Sequence, residues 1–84
     1  MSISASNLAA RARDVAIVDG ELIVRLVDGR KVVVPLEWFP RLAKATDEER
    51  SKFELLGDGE GIHWPDIDED LSVQGLLFGT RPPA

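Results

Sequence analysis

Residues 14–34 read DVAIVDGELIVRLVDGRKVVV. Two Asp-Gly pairs, Asp19-Gly20 and Asp28-Gly29, separate runs rich in β-branched residues. Asp and Gly accept the positive φ that tight hairpin turns impose, so each pair marks a reversal between strands. The spacing predicts strands over 14–18, 21–27 and 30–34. Register follows from the side chains, because a slip of one residue sends a strand's apolar set to the opposite face. A two-residue loop at Asp19-Gly20 sets Ile17 opposite Leu22 and Val15 opposite Val24. At the second turn, a two-residue loop would oppose Leu26 with Lys31. A three-residue loop with Gly29 in the left-handed conformation instead pairs Val24 with Val32 and Leu22 with Val34, and is preferred as a bulged hairpin. The core face of this meander is then Val15, Ile17, Leu22, Val24, Leu26, Val32 and Val34. Arg25 and Lys31 lie on the other face together with Ile23 and Val33.

Beyond the meander, Pro35 ends the third strand because it has no N–H for a ladder, and Pro40 suits the first turn of a helix over 41–45. Leu36-Glu37-Trp38-Phe39 forms the bend between them. Thr46-Asp47-Glu48-Glu49 is a capping-box pattern that opens a second short helix to about residue 52. Residues 53–56 read as a strand, Gly57-Asp58-Gly59-Glu60-Gly61 as a turn, and Ile62-His63-Trp64 as the returning strand. The acidic loop 65–70 leads to Ser72, an N-cap for a helix through Phe78, with Gly79 at the C-terminal cap position. The fold class expected is α+β: an antiparallel three-stranded β-meander, short helices, a further β-hairpin and a C-terminal helix. Residues 14–79 make one domain, flanked by a flexible arm over 1–13 and a disordered tail over 80–84.

Eighty-four residues support one hydrophobic core. The chain has no cysteine, which leans toward a reducing cytoplasm, and no stretch is apolar over the length of a membrane span. The net charge of −5 is unevenly placed. Residues 1–52 carry nine Lys/Arg against eight Asp/Glu, and residues 53–84 carry one against seven. An acidic balance disfavours direct nucleic-acid binding, which needs cations to displace phosphate counterions, and favours a basic protein partner.

The run Asp66-Ile67-Asp68-Glu69-Asp70 invites comparison with a calcium loop, because alternate carboxylates suit a hard cation. It lacks the helix-loop-helix calcium pattern: the sixth position from Asp66 is Leu71 where glycine belongs, and the twelfth is Leu77 where glutamate belongs. A solvated loop whose charge favours the N-terminus of the next helix accounts for it. His63 is the single histidine and has carboxylates nearby in sequence, as a general base would. With no cysteine, no tyrosine and no serine in a nucleophile turn, it lacks a catalytic partner and reads as structural. Gly57-Asp58-Gly59-Glu60-Gly61 is too acidic for a phosphate loop and no Lys-Ser/Thr follows it. Trp38, Phe39 and Trp64 are expected in the core, with Trp38 an interface anchor if it stands exposed.

The run Pro35-Leu36-Glu37-Trp38-Phe39-Pro40-Arg41-Leu42, then Ala45-Thr46 and Arg50, then Gly59-Glu60-Gly61-Ile62-His63-Trp64-Pro65-Asp66-Ile67-Asp68-Glu69-Asp70-Leu71-Ser72-Val73, resembles the bacterial family called domain of unknown function 2442. The resemblance covers residues 14–78. It implies a small α+β domain, in some members joined to a helix-turn-helix module, and members that sit beside a second small protein in what looks like a toxin-antitoxin pair. This chain departs from the fused form, since nothing after residue 79 makes a helix-turn-helix. The resemblance supplies no catalytic residues.

The leading expectation is a non-enzymatic cytoplasmic protein-binding domain, antitoxin-like or regulatory. It would meet a basic partner through Asp58, Glu60, His63, Asp66, Asp68, Glu69 and Asp70, with Trp38 as anchor, and work as a monomer or homodimer without cofactor or metal. Two alternatives stand beside it. One is a DNA-associated transcriptional regulator that dimerises through a sheet edge; the other is a metal-binding protein or enzyme built on His63 and the acidic loop.

Overall fold

Asp19 and Gly20 both take positive φ, 51° and 78°, so the first Asp-Gly pair is the two-residue turn whose twist matches its flanking strands. A computed structural model of the protein describes residues 10–79. Strands β1 (Ala12–Val18), β2 (Glu21–Leu26) and β3 (Lys31–Pro35) follow one another in an antiparallel sheet of order β1-β2-β3. Ile17 opposes Leu22, Val15 opposes Val24, Val24 opposes Val32 and Leu22 opposes Val34, as the side-chain pattern requires. Leu26 N–H donates to Arg30 O at 2.8 Å, leaving a three-residue loop with Gly29 at φ 99°. Val15, Leu22, Val24, Leu26 and Val34 are buried, and Ile17 and Val32 pack against them half-buried.

The first strand starts at Ala12, two residues before the expected position. Residues 12 and 13 therefore belong to the sheet and not to the arm assigned to 1–13. A register shift between Ala12 and Asp14 lets Ala12 turn into the core, where it is buried. Residues 1–9 of the arm and the tail 80–84 lie outside the described residues.

Pro35 closes β3, and a single 3-10 turn, Leu36–Trp38, leads into helix α1 (Pro40–Lys44). Helix α2 (Asp47–Ser51) opens with the reciprocal capping box: Thr46 Oγ1 accepts from Glu49 N at 3.1 Å, and Glu49 Oε1 accepts from Thr46 N at 2.9 Å. These five-residue helices are too short to persist by propensity, and Arg50 supplies what they lack. Its Nε donates to Leu42 O at 3.0 Å and its Nη2 to Ala43 O at 2.7 Å, satisfying carbonyls at the end of α1. The carbonyl of Arg50 in turn accepts from Trp64 Nε1 at 2.9 Å. Trp64 is fully buried, so its indole N–H needs such a partner.

A second antiparallel sheet contains β4 (Glu54–Leu56), β5 (Gly61–Trp64) and β6 (Glu69–Ser72) in that order. The expected hairpin is thus one strand larger. The segment read as an acidic loop turns only over 65–68, with Asp68 at φ 55°, and returns as β6 with Trp64 opposite Glu69. Helix α3 (Val73–Leu77) follows at once, with Ser72 Oγ accepting from Gly75 N at 3.2 Å. Val73 and Leu76 close the core over Phe39, Leu42, Ile62 and Trp64.

Replacing Arg50 with methionine keeps the aliphatic stem and removes the donors to Leu42 and Ala43. Urea unfolding of Arg50→Met is expected to show a loss of about 2–3 kcal/mol. A loss below 0.5 kcal/mol, the size of an ordinary surface change, would mean that solvent serves these carbonyls equally well.

Candidate functional site

Alternation along β4–β6 sorts the second sheet into two faces. Ile62 and Leu71 point inward with Leu55 beside them, and the row Glu54, His63, Asp70 faces outward. Register alone brings His63 between two carboxylates, and its Nδ1 hydrogen-bonds the Asp70 carboxylate. The next row outward is Leu56, Gly61, Ser72.

That row floors an open groove of about 480 Å³ lined by Leu56, Gly57, Glu60, Gly61, Asp70, Leu71 and Ser72. Leu56 is 43% exposed, so an apolar side chain lies open between the acidic walls Glu60 and Asp70. Among the described residues no Lys or Arg lines the groove. Asp58 stands in the turn at one end with an 84% exposed side chain, 3.7 Å from Arg11 Nη1, a separation at which an exposed pair contributes little.

The turn that forms one wall is fixed at both ends. Ala12 N–H donates to Gly59 O at 2.7 Å and Val73 N–H donates to Glu60 O at 3.0 Å. Gly59 is buried at φ 96°, and a Cβ there would fall within the van der Waals shell of Ala12 O and 3.0 Å from Ala12 N. Only glycine fits.

The residues singled out in the sequence therefore separate. Asp58, Glu60, His63 and Asp70 belong to the groove and its margin. Asp66 and Asp68 belong to the β5–β6 turn and Glu69 opens β6; Lys52 Nζ lies 3.7 Å from Asp66, and Arg41 Nη1 donates to the backbone carbonyl of Asp68 at 2.8 Å. Partial burial pushes the Glu69 carboxyl above its ordinary value; Arg41 opposes the shift, and Asp70 and Asp68 add to it. Trp38 lies elsewhere, on the 3-10 turn, half-buried against the core with its ring edge-on to Phe39 at 6.5 Å. Among the described residues no three His, Asp or Glu side chains gather to hold a metal ion. Ser72, the hydroxyl nearest the groove, is committed as the N-cap of α3. Leu56 and Ser72 are not legible as site residues from the sequence, because only the pairing of the third strand sets them in one row with Gly61 as the floor.

The family model described as Protein of unknown function (DUF2442) matches residues 12–82. The chain belongs to this family. A crystal structure of a protein of unknown function from Rhodospirillum rubrum is 31% identical, covers 89% of this chain and 93% of its own, and superposes with a TM-score of 0.76. The solution NMR structure of an uncharacterized protein from Chromobacterium violaceum has the same TM-score at 24% identity, covering 98% of this chain and 77% of its own; it shares the fold. No curated protein is similar enough to match. Among the described residues no helix is long and apolar enough to cross a membrane.

Carboxyl-detected NMR titration is expected to place the Glu69 midpoint above 4.5 and that of Asp28 below 3.8, because the Arg30 side chain and backbone N–H both donate to Asp28. The signs are opposite in stability. Glu69 binds its proton more tightly folded than unfolded, so its contribution is lost as pH rises through the folded value. The Asp28 contribution is present above the unfolded value and lost as pH falls through the folded one. Glu69→Gln should flatten the first dependence and leave the second.

Proposed function

We propose that the protein is a non-enzymatic protein-binding domain of the cytoplasm, antitoxin-like or regulatory, that takes a basic partner segment into the groove between Glu60 and Asp70. The observation that carries this reading is an exposed leucine, Leu56, on a floor flanked by carboxylates, with no Lys or Arg among the described residues that line it. Apolar surface gives such a contact its affinity, and the surrounding charge gives it selectivity for a basic segment and a fast encounter. Asp70 keeps 69% of its side-chain surface exposed although it pairs with His63, so it remains available to a cation. Asp66 and Glu69 contribute less, because Lys52 already pairs with Asp66 and the Arg41 charge already acts on Glu69.

The test is capture of partners by tagged protein from cells that encode it. Wild type should retain a basic protein. Leu56→Ser with Glu60→Gln and Asp70→Asn should lose it, with affinity falling at least about tenfold, while Asp66→Asn with Asp68→Asn should keep it. Equal retention by the groove variant and wild type would refute the assignment.

A further inference from the structure

The first sheet carries a different opportunity at β1. Its two-residue turn closes on the Val18–Glu21 pair, so the amides of Val18, Ala16 and Asp14 face β2, and those of Ile17 and Val15 face away. Val15 N–H accordingly donates to the carboxylate of its own neighbour Asp14 at 2.9 Å, which guards that amide. Ile17 has no such guard. The other edges offer less: β3 ends in Pro35 and has α3 against it, β4 has three residues, and β6 has four and runs into α3. With seven residues, β1 is the longest strand on an edge.

We propose that two copies of this chain pair antiparallel along β1, centred on Ala16, merging their meanders into one continuous sheet. That register exchanges backbone hydrogen bonds between Val15 and Ile17 of the second copy, both on core faces. It opposes Ala16 with Ala16, whose small side chains permit close approach. It also brings Arg13 beside Asp19 of the second copy, twice by symmetry, so the occupant matches in charge as well as apolar pattern. A cleft of about 330 Å³ runs along the edge between Val15, Ala16 and Ile17 on one side and Asp47, Arg50, Ser51 and Phe53 on the other; it receives the second copy's Val15 and Ile17. Asp14 must release the Val15 amide, so its carboxylate restrains the association.

The full chain, at micromolar to millimolar concentration, is examined by light scattering and by amide exchange. The expected result is a mass rising toward twice 9.2 kDa, with exchange at Ile17 slowing as the dimer forms. Arg13→Glu should weaken the dimer about tenfold and added Asp19→Lys should restore it, while Asp14→Ala should tighten it several-fold. All three positions are exposed, and because Asp19 takes φ 51° the fold of the Asp19→Lys variant is checked by circular dichroism before its mass is read. A single-chain mass at millimolar concentration overturns the proposal, as does a dimer in which Ile17 exchange is independent of concentration.

Discussion

Gly59 and Ala12 meet backbone to backbone: one amide-carbonyl hydrogen bond at 2.7 Å, with no room for a side chain on the glycine. Ala12 begins the first sheet and Gly59 lies in the turn of the second, so this approach fixes one sheet to the other. It also decides where Glu60 stands, since the next carbonyl in the turn is held by Val73 at the start of the C-terminal helix. The acidic wall of the groove is therefore set by backbone contacts, and its exposed side chains are free of structural duty.

Arg50 and Trp64 perform a similar service on the far side of the second sheet. Two very short helices would not hold their shape alone, and a buried indole would not tolerate an unpaired N–H. One arginine resolves both, its guanidinium serving α1 and its carbonyl serving Trp64. The groove and the β1 edge then fall on different sheets, so a partner in the groove and a second copy on the edge need not compete for the same residues.

The meander was legible because each Asp-Gly pair permits few registers and only one sets valine and leucine against valine and leucine. The capping box at Thr46 and the cap at Ser72 were legible for the same reason: a local hydrogen-bond pattern has few ways to be satisfied. Strand β6 was not. Glu69 and Asp70 have poor strand propensity, and the pairing that overrides it is non-local, with Asp70 meeting His63 and Leu71 meeting Ile62. The candidate site inherited that gap. Charge identified Glu60 and Asp70, but Leu56, Gly61 and Ser72 become a floor only when three strands lie side by side, and the same pairing separates Asp66 and Asp68 from the groove. Ala12 was assigned to the arm because a lone alanine between arginines shows no periodicity; its burial comes from Gly59, forty-seven residues away.

The most direct test is Gly59→Ala, followed by urea unfolding and by amide exchange at Ala12 and Val73. A Cβ at this position meets the Ala12 backbone and an unfavourable φ together, so the fold is expected to lose about 3 kcal/mol, with both amides exchanging faster than the rest of the core. Wild-type stability with unchanged protection at Ala12 would contradict the claim that this contact joins the two sheets and sets the groove.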